Sequence, residues 1–220
     1  MIIEVIGATS SGKSSLIGNL KKFSQKDILN INSSEAKPNL IKLLWLELRN
    51  WTFFLIFNQS RIRIISILIL CLSRKDSFLM RVNLFRNFIK KYGEYEYIKR
   101  VYKKSIFLQD EGPIHAFSNL FCHYDTEPDI NKLNNFKSIL IFPDVILKVK
   151  TDHKKMLERA KSREDAPWNN LNDKQWQNIF LNTEKIYDFT LENSNSIPII
   201  EVNLEEDSYY EILERIRKFF

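Results

Sequence analysis

With 220 residues and a hydrophobic share of 44%, the chain is the size of one domain that buries a substantial core and has room for an insertion. Its two cysteines, Cys71 and Cys122, stand far apart without metal-ligand spacing, which excludes a disulfide framework and suits a reducing, cytoplasmic setting. The net charge of +6 is uneven: residues 1–104 hold 19 Lys and Arg against 7 Asp and Glu, and residues 105–220 hold 14 against 20. A basic half serves a polyphosphate, an anionic membrane surface or nucleic acid. Here the charges are spread along helical patterns and no nucleic-acid motif is present.

The chain opens on Ile2, Ile3, Val5 and Ile6, an apolar β-branched run that predicts a buried parallel strand. Gly7-Ala8-Thr9-Ser10-Ser11-Gly12-Lys13-Ser14 follows and matches G-x-x-x-x-G-K-[ST], and Ser15 to Lys22 reads as the first turns of a helix. That order of strand, loop and helix separates a phosphate-binding loop (P-loop) from a mere glycine turn with a solvated lysine. The glycines let successive N–H groups converge on a phosphate, and the helix N-terminus adds partial positive charge. Gly7 through Ser15 are thus the candidate nucleotide-binding residues. Within them Lys13 reaches the β- and γ-phosphates, and the Ser14 hydroxyl is a ligand for Mg²⁺.

Residues 27–32 read as a second strand, ending in a polar loop over 33–38. From Asn39 to Asn58 the pattern is helical, with Asn39, Lys42, Arg49 and Asn50 on one side and Leu40, Leu44, Leu48, Trp51 and Leu55 opposite. The apolar run Ile64 to Leu72 is too short to span a membrane, and Arg61 and Arg63 interrupt any longer span. It predicts a buried helix or an apolar face meeting a second copy, with contact at a membrane surface left open. Residues 81–104 repeat an amphipathic pattern in which Phe85, Phe88, Ile89, Tyr92, Tyr95, Ile98 and Tyr102 face inward. Arg86, Lys90 and Lys91 face away, and Gly93 is a point of interruption. Residues 40–104 together read as a helical insertion on the acceptor side of a sheet.

Ser105 to Gln109 is a third strand, closing on Asp110-Glu111-Gly112-Pro113. An acid at such a strand end holds Mg²⁺ opposite a P-loop serine, although an acid here could also simply cap the next helix. Residues 144–150 form a fourth strand, and Thr151 or Asp152 caps a helix through Glu158 and Arg159, ended by Asp165-Ala166-Pro167-Trp168. A helix over 173–191 and a fifth strand over 197–203 follow. Ser208 and Glu211 then make a capping box for a last helix striped by Tyr209, Leu213, Ile216 and Phe220.

Five strands alternating with helices behind a P-loop predict an α/β, doubly wound, five-stranded parallel sheet of the P-loop NTPase fold, with the helical insertion between strands two and three. The order of motifs resembles the P-loop nucleoside and nucleotide kinases, thymidylate-kinase-like members most of all. The resemblance rests on Gly7 to Ser14, on Phe107-Leu108-Gln109-Asp110-Glu111-Gly112, and on Pro143-Asp144-Val145-Ile146-Leu147 with Arg159 and Arg163. It implies a kinase that uses ATP and Mg²⁺, with Ser14 and Asp110 at the metal. Asp110 or Glu111 would stand at the acceptor, and Arg159 and Arg163 would be lid arginines in a segment over 152–168. Thymidylate kinases usually follow the strand-end acid with Arg, whereas this chain has Glu111 and Gly112.

Other chemistries lack support. His115, Cys122 and His123 have no fourth ligand at metal spacing, no nucleophile elbow is present, and the guanine-binding Asn-Lys-x-Asp is missing. The reading is therefore an ATP-dependent phosphotransferase acting on a nucleoside, nucleotide or sugar. A non-catalytic or regulatory nucleotide-binding module is the alternative, and a cavity beside the P-loop is what would separate the two.

Overall fold

Ile2, Ile3, Val5 and Ile6 form the strand that the sequence predicts, and it lies buried at the centre of the sheet as β1 (Ile2–Ile6). The computed structural model describes residues 1–23, 28–30, 40–57, 67–71, 77–102, 105–163, 171–194 and 196–219. β1 pairs in parallel with β3 (Ile106–Asp110) on one side and β4 (Val145–Lys150) on the other. β5 (Ile199–Asn203) adds beyond β4, and the three-residue β2 (Ile28–Asn30) adds at the edge beside β3. The order is β2-β3-β1-β4-β5, all pairs parallel. Four strands of five or six residues carry the sheet, and the short β2 extends it. The predicted loop over 33–38 and the end of the predicted second strand lie outside the described residues.

Alternation along β1 sends its side chains to two cores. Ile3 and Val5 pack with Leu16, Ile17 and Leu20 of α1 (Lys13–Phe23) and with Ile212, Leu213 and Ile216 of α8 (Tyr209–Arg217). On the other face Ile2 meets Tyr95 and Ile98, and Ile6 meets Ile114 and Tyr187. That face is covered by α3 (Phe78–Val101), α4 (Pro113–Phe121) and α7 (Asp173–Glu192). The remaining helices are α2 (Leu40–Phe57), the short α5 (Ile130–Phe136) and α6 (His153–Lys161). Asp152 caps α6 by accepting from the N–H groups of Lys154 and Lys155, and the Ser208–Glu211 capping box starts α8. Among the described residues no helix is long and apolar enough to cross a membrane.

Three expectations about residues 40–104 need correction. Gly93 does not interrupt its helix: α3 runs through it, and a Cβ there would stand 1.8 Å from the Asn50 carbonyl oxygen. The glycine instead allows α2 and α3 to touch backbone to backbone. On α2 the predicted faces hold only in part: Trp51 packs against the core and Lys42 is exposed as expected, but Asn50 is buried, with Phe54, and Leu44, Leu48 and Leu55 are exposed. The buried side includes Asn50, whose carbonyl meets Gly93 of α3. On α3, Lys91 is buried and Arg86 and Lys90 line a cavity. Arg86 is exposed as expected and pairs with Glu47, while Lys91 is buried toward Asp110, so helical period alone did not separate the two. Of the apolar run over 64–72, Ile67, Leu70 and Cys71 are buried against Phe54 and Phe88, while Leu68 and Ile69 are exposed. Residues 64–66 and 72, with Arg61 and Arg63, lie outside the described residues.

Candidate active site

Where β1 ends, the chain turns through residues 7–12 before α1 begins at Lys13. Gly12 has φ +94°, a left-handed conformation that a side chain would strain. The Ser11 N–H donates to the Ala8 carbonyl at 3.2 Å and the Leu16 N–H to Gly12 at 2.9 Å, which closes the loop onto the helix. Lys13 is buried, and its Nζ donates to the Gly7 and Ala8 carbonyls at 2.8 and 3.0 Å. Burial pushes the pKa of its ammonium down, against the pull of Asp110 and Glu111. The Ser10 and Ser11 hydroxyls are buried without a hydrogen-bond partner among the described residues. Buried polar groups are normally bonded, so these donors aimed into the loop fit a phosphate oxygen as partner.

Parallel register sets the acids beside this loop. Val5 pairs with Asp110, so the end of β3 arrives level with the end of β1. There the Ser14 hydroxyl donates to Asp110 Oδ2 at 2.9 Å, and Lys91 Nζ reaches the Asp110 carbonyl at 3.4 Å. Burial raises the Asp110 pKa, while the Ser14 bond and the charges of Lys13 and Lys91 oppose the rise. Glu111 is held low, first by His115 and then by Lys91, Lys13 and Arg163. A serine hydroxyl and a carboxylate in contact are a donor set suited to a hard cation such as Mg²⁺.

Among the described residues, the non-glycine positions with positive φ are Ser10 at +66° and Glu111 at +56°. Such conformations collect at functional sites, and these two face one cavity of about 530 Å³. Thr9 and Ser10 bring the loop to its wall; Asn83, Arg86, Asn87 and Lys90 bring α3; His115 and Asn119 bring α4; and Arg163 follows α6. Arg159 lies nearer the loop, its Nη1 3.4 Å from the Ser10 carbonyl oxygen, and the Thr151 hydroxyl donates to Ser11 at 2.8 Å.

The structure therefore brings together Gly7 to Ser14, Asp110, Glu111, Arg159 and Arg163. Ser15 points out of α1 to solvent, and residues 164–168 of the lid-like segment lie outside the described residues. Sequence reasoning missed Glu4, Lys91, His115, Tyr187 and the α3 amides. Glu4 is fully buried and accepts from the N–H groups of Ile114 and His115 at 3.2 and 3.0 Å. The signal for it was in the chain: an acid inside a run of Ile and Val on a central strand must be hydrogen-bonded there. His115, set aside as a metal ligand from sequence, is buried, touches the Tyr187 hydroxyl and stands 3.7 Å from Glu111.

No family model matches the chain, and no curated protein matches it by sequence. Among solved structures, a deoxyadenosine kinase from M. mycoides with bound dATP superposes with a TM-score of 0.51 at 15% identity, covering 99% of this chain and 98% of that one. The same enzyme with products dCMP and a flexible dCDP gives 0.50 at 15% identity over the same shares. A thymidylate kinase from Candida albicans gives 0.51 at 14% identity, covering 99% of this chain and 89% of that one. The fold is that of the P-loop nucleoside and nucleotide kinases. In this kinase fold ligands collect beyond the carboxyl ends of the parallel strands, which is where the P-loop, Asp110 and the cavity lie.

Proposed function

We propose that the chain is a phosphotransferase that moves the γ-phosphate of ATP to a small-molecule acceptor, a nucleoside, nucleotide or sugar, seated in the 530 Å³ cavity. The observation that carries this reading is the meeting of Ser10, Glu111 and Arg163 on one cavity wall. A regulatory nucleotide-binding module needs no such space beside its phosphate loop.

Phosphoryl transfer asks a protein mainly to position and to neutralise charge. The N–H groups of residues 7–14 and Lys13 hold the triphosphate, and Lys13 exchanges the Gly7 and Ala8 carbonyls for phosphate oxygens. Ser14 and Asp110 would hold Mg²⁺, and the ion would supply neutralisation of the triphosphate charge. Glu111 orients the acceptor and takes the proton of a hydroxyl acceptor, whereas a phosphate acceptor attacks through an oxygen that is already ionised. Arg159, beside the loop, and Arg163, on the cavity wall, close over the transferring group.

The test is ATP consumption by the purified protein against nucleosides, nucleotides and sugars, with deoxynucleosides first because the M. mycoides structures hold dATP and dCMP. Acceptor-dependent ADP release is the expected result. Nucleotide binding without turnover across the panel would favour the regulatory module. Cytoplasmic placement is part of the proposal, supported by a chain with two cysteines far apart in sequence and no disulfide framework. So is a second copy of the chain covering the exposed leucines of α2, to be tested by light scattering with and without anionic liposomes.

A further inference from the structure

Four polar side chains of α3 line one side of the 530 Å³ cavity. Asn83, Arg86, Asn87 and Lys90 stand three and four residues apart, so they form one contiguous patch on the helix. Arg86 is braced from α2: its Nε donates to Glu47 Oε2 at 3.3 Å and its Nη2 to Glu47 Oε1. Among the described residues its Nη1 makes no hydrogen bond, and neither do the Asn83 and Asn87 carboxamides or the Lys90 ammonium. Lys90 lies within electrostatic reach of the same Glu47 carboxylate. Two cations thus share one acid, and the patch keeps a net positive charge. It is separate from the phosphate loop, where Lys13 and Glu111 both feel the charge of Arg163. Helix rise sets Arg86 about 7–8 Å along α3 from Lys91, the residue that reaches the Asp110 carbonyl. We propose that Arg86 and Lys90 form an anion site that selects an acceptor already carrying a phosphate group. This inference deepens the kinase reading and rests on it for the role of the cavity.

The donor chemistry of the patch decides in favour of an anion. Lys90 offers three N–H groups and Arg86 keeps its Nη1 amino group, and neither side chain can accept a hydrogen bond. A phosphate monoester presents charged oxygens that only such donors match in both geometry and sign. An uncharged nucleoside or free sugar would displace water from two cations and return no counter-charge, which costs free energy. Glu47 adds to the selectivity, because a guanidinium already fixed loses less freedom when a ligand arrives. The amides are less particular. Asn83 and Asn87 each offer a donor and an acceptor, which suit the polar groups of a nucleobase or of a sugar alike. The patch therefore reads the phosphate, and the rest of the cavity reads what the phosphate is attached to.

Calorimetry on the full chain tests this, with the loop filled beforehand by the β,γ-imido analogue of ATP and Mg²⁺ so that it does not capture the probe. The probes are matched pairs: thymidine and dTMP, deoxyadenosine and dAMP, glucose and glucose 6-phosphate. In at least one pair the phosphorylated member should bind roughly tenfold tighter or better, and the pair that shows it tells a nucleotide from a sugar phosphate. Arg86→Gln and Lys90→Gln should each weaken that member about tenfold and leave its unphosphorylated partner unchanged. Equal affinity within every pair would overturn the inference, as would a panel in which nothing binds. So would a preference that survives the double variant, or a loss in Lys90→Gln that is equal for both members of a pair. A protein that shows the Lys90-dependent preference yet transfers no phosphate from ATP would defeat the kinase reading and leave the anion site standing.

Discussion

The two halves of the site are built in different ways. On the proposed donor side one continuous run, residues 7–14, offers its groups largely from the backbone and ends on Lys13 and Ser14. On the proposed acceptor side the cavity wall is assembled from side chains of α3, α4 and the end of α6, far apart in the chain. Phosphate groups are alike in every nucleotide, so converging N–H groups suffice to hold them. An acceptor differs from one enzyme to the next, and only side chains can be exchanged to fit it. The contrast separates a generic half from a specific one, and mutations should act on them separately.

The largest effect belongs to the donor half. Lys13→Ala should cut transfer roughly 10²–10³-fold and weaken ATP·Mg binding by calorimetry, while acceptor binding followed by NMR stays intact. If ATP·Mg affinity is unchanged, the division of the site fails at its root.

Next comes the junction between the halves, where Glu4 and His115 titrate in opposite senses. Burial lifts the Glu4 pKa from 4.5 to about 7, so the folded protein binds that proton more tightly than the unfolded chain. Its contribution is complete below pH 4.5 and is lost as pH rises through 7, a change of about 3 kcal/mol. Burial lowers His115 from 6.5 to about 4, so its contribution is present above pH 6.5 and is lost as pH falls through 4. The two slopes offset each other between pH 4.5 and 6.5. In urea unfolding across this range, Glu4→Gln should gain stability with pH more steeply than the wild type. Parallel profiles would mean that Glu4 titrates normally in the folded protein.

Two smaller effects concern the acceptor half. Gly93→Ala drives a methyl into the Asn50 carbonyl and should cost roughly 2 kcal/mol, read as a lower urea midpoint. Because α3 carries the cavity wall, acceptor affinity should fall more than ATP affinity. Asn87→Ala should raise the acceptor KM by about threefold to tenfold, the worth of one hydrogen bond, and leave the KM for ATP alone. An equal change in both KM values would erase the distinction.

The same contrast explains what the sequence made legible. The P-loop could be read because its chemistry needs fixed residue types at fixed spacing. Asp110 could be read because β3 ends on it directly. The strands were visible as short β-branched runs, and the capping box of Ser208 and Glu211 by its spacing. Lys91 and Lys90 were hidden because a helix buried on most of its circumference shows no single apolar side. The surroundings of His115 were hidden because Tyr187, which it touches, is distant in sequence and close only in the fold. The burial of Asn50 was beyond any local pattern, since its carbonyl meets Gly93 on another helix.

The strand order also governs how the protein comes to exist. β1 precedes all its partners in the chain, yet its neighbours β3 and β4 begin about a hundred residues or more later. Closing a loop of that length costs about 4 kcal/mol of chain entropy before any pairing is gained. A nascent chain on the ribosome thus carries the complete P-loop sequence long before it has a place to stand. Until β3 and then β4 emerge, β1 is an apolar strand with first both and then one of its edges unpaired, of the kind that aggregates or recruits a chaperone. Folding should therefore be slow and sensitive to synthesis rate, and nucleotide should rescue it only after β4, Thr151 and Arg159 have been made.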